Sequence, residues 1–307
     1  MKKAIKAVGG AALVAVGLGL YISNRLMYYR KKEEPFIYNR ELEAKRIIPE
    51  EYESLPKEEV WIPSSFGYML KAVFIKPHSD SRRFMIFSHG VSESKTNSIK
   101  YMNLFIKKGF NAVLYDHRRH GESGGKTSSY GHYEKNDLKA VVDELLKREG
   151  EGIIFGIHGE SMGAVTALMY AGTMEDRADF YIADCPFSDF RLQISHQLQQ
   201  ILKIPANWLL PLADFSLRLR DGYSFKDVAP IQAVEHISKP VLFIHSQLDT
   251  FILPAMTEEL YRHKKGPKKL FLAEYGGHAQ SLNENPAEYE QAVDDFLDEC
   301  VFKKEES

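Results

Sequence analysis

One junction between a strand pattern and a helix pattern dictates much of the architecture of this chain. Residues 152–172 read GIIFGIHGESMGAVTALMYAG, an apolar strand pattern that passes into an apolar helix pattern at Ser161. Gly159 and Gly163 stand two positions on either side of the serine, where strand and helix would crowd any side chain. The pattern predicts a serine held in a strained turn, with its hydroxyl exposed at the carboxyl end of a strand.

A second Gly-x-Ser-x-Gly sequence, GESGG at 121–125, lacks this context. It follows YDHRRH and precedes KTSSYG, so no strand pattern leads into it and no apolar helix pattern follows it. Because the five-residue pattern also arises by chance, its context decides its meaning. We therefore expect Ser123 to be a loop serine that makes local backbone hydrogen bonds.

Short apolar strand patterns alternate with amphipathic helix patterns through most of the chain. Helix patterns with an apolar face follow most of the strand patterns, which indicates crossover connections between parallel strands. The fold class is therefore α/β, a mostly parallel sheet of about eight strands with helices on both faces. The strand patterns cover 58–63, 68–77, 83–90, 111–116, 152–158, 179–184, 240–246 and 269–275.

One segment interrupts this alternation. Residues 187–238 separate two strand patterns and hold far more chain than a single crossover helix needs. An insertion at this point would lie over the carboxyl ends of the strands, where open α/β sheets bind ligands. We expect a small helical cap over the site, and the alternative is a packing insert with no role in the site.

A serine hydroxyl is a weak nucleophile unless a neighbouring base takes its proton. When the nucleophile stands on such a strand–helix corner, the acid and then the histidine follow it in the chain. His278 lies in the glycine-rich loop EYGGHAQS after a strand pattern, and Asp249 lies in the loop after PVLFIHS. We expect His278 to be the base and Asp249 to orient it, with His245 and Asp184 as the alternatives.

The negative charge that develops on the reacting oxygen needs two N–H donors. The backbone N–H of Met162, directly after the serine, is the first candidate. The loop after the strand pattern RFMIFSHG supplies the second at Val91. We expect His89 in that loop to orient the loop through local hydrogen bonds rather than to act as a base.

The composition argues against several other classes of protein. The net charge is −2, which gives no indication of a nucleic-acid partner. Cys185 and Cys300, the two cysteines, form neither a disulfide framework nor a zinc-ligand pattern. Asp116, His117 and His120 lie close together, but no further ligand is evident in the sequence. We therefore expect no metal and no cofactor.

The N-terminal segment, residues 1–29, predicts membrane attachment. It begins with lysines and contains an uncharged run of 16 residues from Ala7 to Ile22, which is short for a membrane span. We favour an uncleaved anchor, a transmembrane helix, over a cleaved signal segment, because no strong cleavage site follows. A helix packed in a core is disfavoured, because the run carries four glycines at the extreme terminus.

The anchor would attach the protein to a membrane, whereas cleavage would release it as a secreted protein. Basic residues at both ends of the run leave the orientation open, and an extracytoplasmic domain is one expectation. Residues 30–57 are charged and contain three prolines, which predicts a linker with room for one short helix. The oligomeric state does not follow from the sequence.

Six segments together resemble the α/β-hydrolase superfamily. They are SHGVSES, YDHRRHGESGGKTSSYG, GIHGESMGAVTAL, ADCPF, KPVLFIHSQLDTFI and GGHAQS, and they occur in the family's order. The chain looks like the small bacterial hydrolases grouped with serine aminopeptidases and prolyl-oligopeptidase-like domains. The resemblance implies a hydrolase domain over 58–307 with its cap at about 187–238. It also implies a triad and two backbone donors: Ser161, Asp249 and His278, with Val91 and Met162.

Three functions fit these observations. The favoured one is a serine hydrolase that cleaves a carboxylic ester of a small molecule through an acyl-enzyme intermediate. A serine peptidase acting on small peptides would use the same triad, with Glu93 and Glu160 as candidates to bind a free amino terminus. A membrane-tethered binding protein that kept the fold without catalysis is the third, because fold alone does not establish function.

Overall fold

Eight strands form a single sheet within the residues that the structure describes. The computed structural model describes residues 2–203 and 207–302, with the side chains of residues 14–203 and 207–302. The sheet order is β1-β2-β4-β3-β5-β6-β7-β8, and only the pairs β1–β2 and β2–β4 are antiparallel. The strands are β1 (Lys57–Pro63), β2 (Met69–Ile75), β3 (Arg83–Ser88), β4 (Asn111–Tyr115), β5 (Ile154–Glu160), β6 (Phe180–Asp184), β7 (Val241–Ser246) and β8 (Lys268–Ala273). The predicted mostly parallel sheet is confirmed.

Helices connect the strands and cover the sheet. The α-helices are α1 (Lys2–Met27), α2 (Glu34–Glu43), α3 (Pro49–Ser54), α4 (Ile99–Lys107), α5 (Glu134–Glu149), α6 (Met162–Thr173), α7 (Phe190–Leu202), α8 (Leu210–Asp221), α9 (Pro230–Ala233), α10 (Pro254–His263), α11 (Ser281–Glu284) and α12 (Pro286–Phe296). Short 3₁₀ turns lie at Lys95–Ser98, Asn207–Leu209, Phe225–Asp227 and Val234–His236, and a π-helical turn at Leu297–Val301 follows α12.

Alternate residues of each central strand face opposite helical layers. In β3, Phe84 and Ile86 pack in the core that includes α5 and α6. Met85 and Phe87 pack in the core that includes α4 and α12. Because both faces of the sheet are covered at its centre, the central strands are largely apolar and buried, and polar side chains collect in the loops at their carboxyl ends.

The segment between β6 and β7 is helical and lies over the start of α6. Phe190 and Ile194 of α7 and Leu209 of the following turn pack in one apolar cluster with Met162 and Val165 of α6. This contact brings the cap helices next to the strand–helix corner at the carboxyl end of β5. This is the segment for which the sequence predicts a cap, and its role over the site stays a prediction.

The N-terminal helix α1 packs into this cap, contrary to expectation. Ile22 and Leu26 are buried in the same apolar cluster as α7 and α8. Gly19 approaches α8 so closely that an added Cβ would lie 2.7 Å from the backbone oxygen of Leu212. The glycine that argued against a core helix therefore permits one, because it lets two helix backbones pack closely.

The transmembrane helix predicted from residues 1–29 is not supported. Within residues 14–203 and 207–302, whose side chains the structure describes, no helix is both long enough and apolar enough to cross a membrane. The described side chains cover only residues 14–29 of the predicted segment, fewer than the roughly 20 residues that a span needs, and residues 1–13 lie outside them.

Residues 30–57 differ from the predicted linker. They contain two helices, α2 and α3, and contribute Ile37 and Ile47 as buried side chains. Arg40 of α2 also reaches the loop after β3, where its Nη2 donates to Oε2 of Glu93 at 2.9 Å. Buried apolar and ion-paired side chains hold this segment against the domain, which composition alone did not indicate.

Candidate active site

Ser161 stands at the corner between β5 and α6, as the sequence predicts. It adopts φ 55° and ψ −113°, an unfavourable conformation for a residue with a side chain. An added Cβ on Gly159 would lie 2.3 Å from the backbone oxygen of Gly163, and one on Gly163 would lie 1.9 Å from that of Ser88. Both glycines are therefore required by close backbone contacts that hold the serine in its strained turn.

Three side chains from separate loops form a hydrogen-bonded path at this corner. Ser161 Oγ lies 2.9 Å from His278 Nε2, and His278 Nδ1 lies 2.7 Å from Asp249 Oδ2. Asp249 is buried, whereas the His278 side chain is 22% exposed. Because a carboxylate only accepts hydrogen bonds, Nδ1 carries the imidazole proton and Nε2 accepts from the serine hydroxyl. The predicted nucleophile, base and acid thus lie together in the order that proton transfer requires.

Asp249 is held through both of its carboxylate oxygens. Oδ1 accepts from the backbone N–H of Phe251 at 2.8 Å and of Ile252 at 3.0 Å. Oδ2 accepts from His278 and, at 3.0 Å, from Nε2 of the buried His245. Burial acts to raise the pKa of Asp249, but the hydrogen bonds from both histidines outweigh it and hold the pKa well below its usual range. The carboxylate is therefore ionised at neutral pH.

The loop that carries His278 is fixed by a glycine and an asparagine. Gly276 has φ 94°, a left-handed conformation that favours glycine. Asn285 accepts from the N–H of Tyr275 at 3.1 Å and donates to its carbonyl oxygen at 2.9 Å. The ring of Phe251 packs with its centroid 4.8 Å from that of His278. These contacts restrict the imidazole to one orientation.

His245 and Asp184, the alternative base and acid, form hydrogen bonds with the predicted triad or with residues that surround it. The ring nitrogens of His245 face Asp249 and Thr257, with Nδ1 2.7 Å from Thr257 Oγ1. Asp184 ends β6 and is fully buried, and its Oδ1 accepts from Ser281 Oγ at 3.1 Å. Both side chains thus contact the predicted triad or residues around it, and their exclusion from it stays a prediction.

Asp184 should make the stability of the protein depend on pH. Burial, and next the nearby carboxylate of Glu160, raise its pKa from 3.8 to about 6. The protonated carboxyl therefore stabilises the fold fully below pH 3.8, and this contribution is lost as the pH rises through about 6. In Asp184→Asn, which cannot titrate, the free energy of unfolding should rise relative to wild type by about 1.4 kcal/mol per pH unit across that window. Urea unfolding at several pH values measures this, and a pH-independent difference would contradict it.

The loop after β3 meets the start of α6 beside the serine. An added Cβ on Gly90 would lie 3.6 Å from the Cβ of Ser161. Val91 and Met162, the predicted backbone donors, both line a cavity that reaches Ser161. The two backbone segments are therefore adjacent at the nucleophile, and the donor role itself stays a prediction.

Three histidines form a buried cluster behind this loop. The rings of His117 and His120 lie 4.6 Å and 5.3 Å from the ring of His89. His89 Nδ1 donates to the oxygen of Gly90 at 2.8 Å, and its Nε2 accepts from the N–H of His117 at 3.0 Å. Burial lowers the pKa of His89 to about 4 and that of His120 to about 3. Neutral imidazoles thus brace the loop, in agreement with the orienting role expected of His89.

The neighbouring polar residues also have structural partners. Asp116 Oδ2 pairs with Lys95 Nζ at 2.8 Å. Ser123 Oγ donates to the oxygen of Asp116 at 2.7 Å and accepts from the N–H of Lys71 at 2.8 Å, as expected of a loop serine. Among the residues that the structure describes, no three His, Cys, Asp or Glu side chains are arranged to hold a metal ion.

Two cavities meet at Ser161. The apolar cavity, of about 470 Å³, lies between α1, α7 and the loop after β7. The polar cavity, of about 440 Å³, lies between α2, the loop after β3 and His278. Side chains that line the apolar cavity include Leu18, Ile22, Leu26, Tyr130, Phe190, Ile194 and Leu198. Side chains that line the polar cavity include Lys32, Arg40, Glu93, Lys100 and Glu160.

A proton path from hydroxyl to imidazole to carboxylate, at the carboxyl edge of this sheet, is the arrangement of an α/β-hydrolase. Residues 79–234 match the family described as serine aminopeptidase, S33. A Bacillus subtilis protein, uncharacterized protein YqkD, is 46% identical over 299 residues, which cover 97% of this chain and 98% of that protein. The chain therefore belongs to this family of hydrolases.

Two further proteins are more distant. Lysophosphatidylserine lipase ABHD12 of Danio rerio is 25% identical over 194 residues, which cover 61% of this chain and 48% of that protein. The Pyrococcus furiosus esterase Pf2001 superposes with a TM-score of 0.67 at 23% identity, over 83% of this chain and 96% of that chain. At that identity the similarity to Pf2001 is one of fold.

The sequence does not indicate the part of the site that is formed by residues distant from Ser161 in the chain. Leu18, Ile22 and Leu26 of α1 line the apolar cavity, whereas the sequence predicts a membrane anchor for this segment. Gly19 was the available signal, because a glycine inside an apolar helix pattern is compatible with a close helix contact. The bond between His245 and Asp249 had no sequence signal, since it depends on the path of the loop after β7.

Proposed function

We propose that the protein is a serine hydrolase that cleaves carboxylic esters, with Ser161, His278 and Asp249 as its triad. One observation carries the proposal: Ser161 Oγ and His278 Nε2 are 2.9 Å apart while His278 Nδ1 and Asp249 Oδ2 are 2.7 Å apart. This geometry lets the imidazole take the hydroxyl proton as the oxygen attacks. Membership of a hydrolase family supports the reaction type.

In the first half-reaction, Ser161 Oγ attacks the ester carbonyl carbon while its proton passes to His278 Nε2. The ionised Asp249 stabilises the imidazolium that forms. The N–H groups of Val91 and Met162 donate to the carbonyl oxygen as it becomes negative. The bond to the alcohol then breaks, the alcohol leaves with the proton from Nε2, and the acyl group stays on Oγ.

In the second half-reaction, water replaces the alcohol. His278 Nε2 takes a proton from the water as its oxygen attacks the acyl carbon. The same N–H donors stabilise the second tetrahedral intermediate. Its collapse releases the carboxylic acid, and the proton returns from Nε2 to Ser161 Oγ.

The apolar cavity favours an ester with a hydrocarbon acyl chain. It reaches Ser161 and is walled by aliphatic and aromatic side chains of α1 and α7. An alkyl chain in such a cavity is stabilised by about 0.8 kcal/mol for each methylene removed from water. The relative ABHD12 is named a lipase, which supports the same class of substrate.

A peptidase is the second candidate, because the family description is serine aminopeptidase. A free amino terminus would need an unpaired carboxylate, and the two candidates already have partners. Glu93 Oε2 lies 2.9 Å from Arg40 Nη2, and its Oε1 also pairs with Lys32. Glu160 Oε2 lies 2.9 Å from Lys100 Nζ. These ion pairs favour the ester over the peptide.

A series of p-nitrophenyl esters from acetate to dodecanoate tests the proposal, beside aminoacyl p-nitroanilides as peptidase substrates. The full chain is required, because α1 forms a wall of the apolar cavity. We expect ester turnover with a maximum at a medium or long chain and about tenfold or more lower kcat/KM on the anilides. Turnover of the anilides alone would identify a peptidase instead.

Leu198→Trp should shorten the preferred acyl chain. Leu198 lines the apolar cavity, so a larger side chain there occupies space that the distal methylenes need. We expect kcat/KM for dodecanoate to fall about tenfold relative to acetate. Leu192→Trp is the matched control, because Leu192 is on the same helix but 52% exposed. Equal chain-length profiles in the two variants would contradict the assignment of this cavity to the acyl chain.

A further inference from the structure

The apolar cavity opens at a surface formed by α1 and α7. Tyr21, Ile201 and Leu202 line this cavity and are also 64%, 72% and 43% exposed. Side chains that belong both to a cavity wall and to the protein surface mark the opening of the cavity. The route from solvent to Ser161 therefore begins between α1 and the end of α7.

Exposed apolar side chains continue from this opening across α1 and α8. Phe215 and Leu219 stand one position before Ser216 and Arg220, two of the residues through which α8 contacts α1. Arg220 Nη1 donates to Ser23 Oγ at 2.9 Å. We call the exposed apolar residues of α1, α7, α8 and the turn before α8 the cap face: Val14, Val16, Leu20, Tyr21, Leu192, Ile201, Leu202, Trp208, Phe215 and Leu219. Exposed apolar groups gathered at the mouth of a site mark an interaction surface.

The helices of the cap face are basic, although the chain as a whole is slightly acidic. Among the described side chains of α1, α7 and α8, together with Lys203, five are basic and two are acidic, whereas the net charge of the chain is −2. The five basic residues are exposed: Arg25, Arg191, Lys203, Arg218 and Arg220. Both acids have internal partners. Asp214 Oδ1 accepts from the N–H of Phe225 at 2.6 Å, and Asp221 Oδ1 accepts from Thr127 Oγ1 at 2.8 Å. The surface is thus apolar and positively charged, which is complementary to an anionic lipid layer.

We propose that the cap face docks on a lipid bilayer that contains anionic lipids, with α1 lying along the interface rather than crossing it. The apolar side chains enter the boundary between headgroups and acyl chains, and the basic side chains contact the phosphates. Docking directs the cavity opening toward the acyl chains of the bilayer. A lipid ester then reaches Ser161 without passing through water, a consequence that rests on the proposed ester hydrolysis.

Sedimentation of the full chain with vesicles tests the docking. We expect binding to vesicles of phosphatidylcholine with phosphatidylglycerol, weaker binding to phosphatidylcholine alone, and a loss of binding as salt is raised. The double variant Phe215→Ser, Leu219→Ser should bind about tenfold more weakly. Trp61→Ser is the matched control, because it removes an exposed aromatic side chain from the edge strand β1.

Hydrolysis of dissolved p-nitrophenyl acetate should be unchanged in the double variant, since neither Phe215 nor Leu219 lines the apolar cavity. Absent binding, or equal binding by wild type and the double variant, overturns the proposal. Self-association of the wild type that the double variant loses, without vesicle binding by either, would identify a contact between copies and also overturn it. Because vesicle binding is measured without substrate, an inactive wild type would count only against the ester proposal.

Discussion

Ser161→Ala should remove ester hydrolysis and leave the fold intact. The variant lacks the oxygen that forms the acyl-enzyme, so only binding and the backbone donors remain, and we expect kcat to fall about 10⁶-fold. The Ser161 side chain is small and buried. Among the described residues, its Oγ forms a side-chain hydrogen bond only with His278, so the substitution removes little that holds the fold together. Initial rates on p-nitrophenyl esters measure the loss, and circular dichroism checks the fold.

Ser123→Ala is the matched control, because Ser123 occupies the centre of the second Gly-x-Ser-x-Gly sequence. Its hydroxyl bonds to backbone groups of Asp116 and Lys71, so its loss should lower stability and leave kcat close to wild type. A fluorophosphonate should label the wild type and Ser123→Ala but not Ser161→Ala. Equal labelling of Ser161→Ala would assign the nucleophile elsewhere, and an unlabelled wild type would favour the non-catalytic binding protein.

Asp249→Asn should reduce kcat by about 10⁴-fold with little change in KM. The amide would offer its N–H₂ to Nδ1 of His278, which favours the tautomer that carries its proton on Nε2. That tautomer cannot accept the proton of Ser161. His245, which bonds to the same carboxylate oxygen at 3.0 Å, would lose an ionised partner as well.

Asp184→Asn provides the comparison for this variant, because Asp184 is the other acid at a strand end near the site. Its carboxylate bonds to Ser281, and we expect kcat to change by less than about tenfold. Measurement of kcat and KM across neutral and alkaline pH separates the two variants. A larger loss in Asp184→Asn than in Asp249→Asn would reverse the assignment of the acid.

The strand–helix corner and the strand ends could be predicted because their causes are local in the sequence. Gly159 must lack a side chain wherever the rest of the chain lies, since its crowding arises between its strand and the helix that directly follows. Gly163 differs, because the backbone of Ser88 at the end of β3 crowds it. Continuous apolar strands indicate a sheet buried on both faces, and in a parallel sheet their carboxyl ends meet at one edge. Asp249 and His278 follow from that rule, because each lies in a loop after a strand.

The substrate cavities could not be predicted, because their walls come from segments that are distant in sequence. The composition of residues 1–29 does not indicate a contact with α8, and the close backbone approach of Gly19 to Leu212 is visible only in the tertiary structure. In the sequence, Glu93 and Glu160 are candidates to bind a free amino terminus. In the structure, they form ion pairs with Arg40 and Lys100. The sequence by itself therefore determined the sheet, the corner and the residues at its edge, because local sterics and periodicity specify them. Only the tertiary structure decided what those residues face, because that depends on long-range packing.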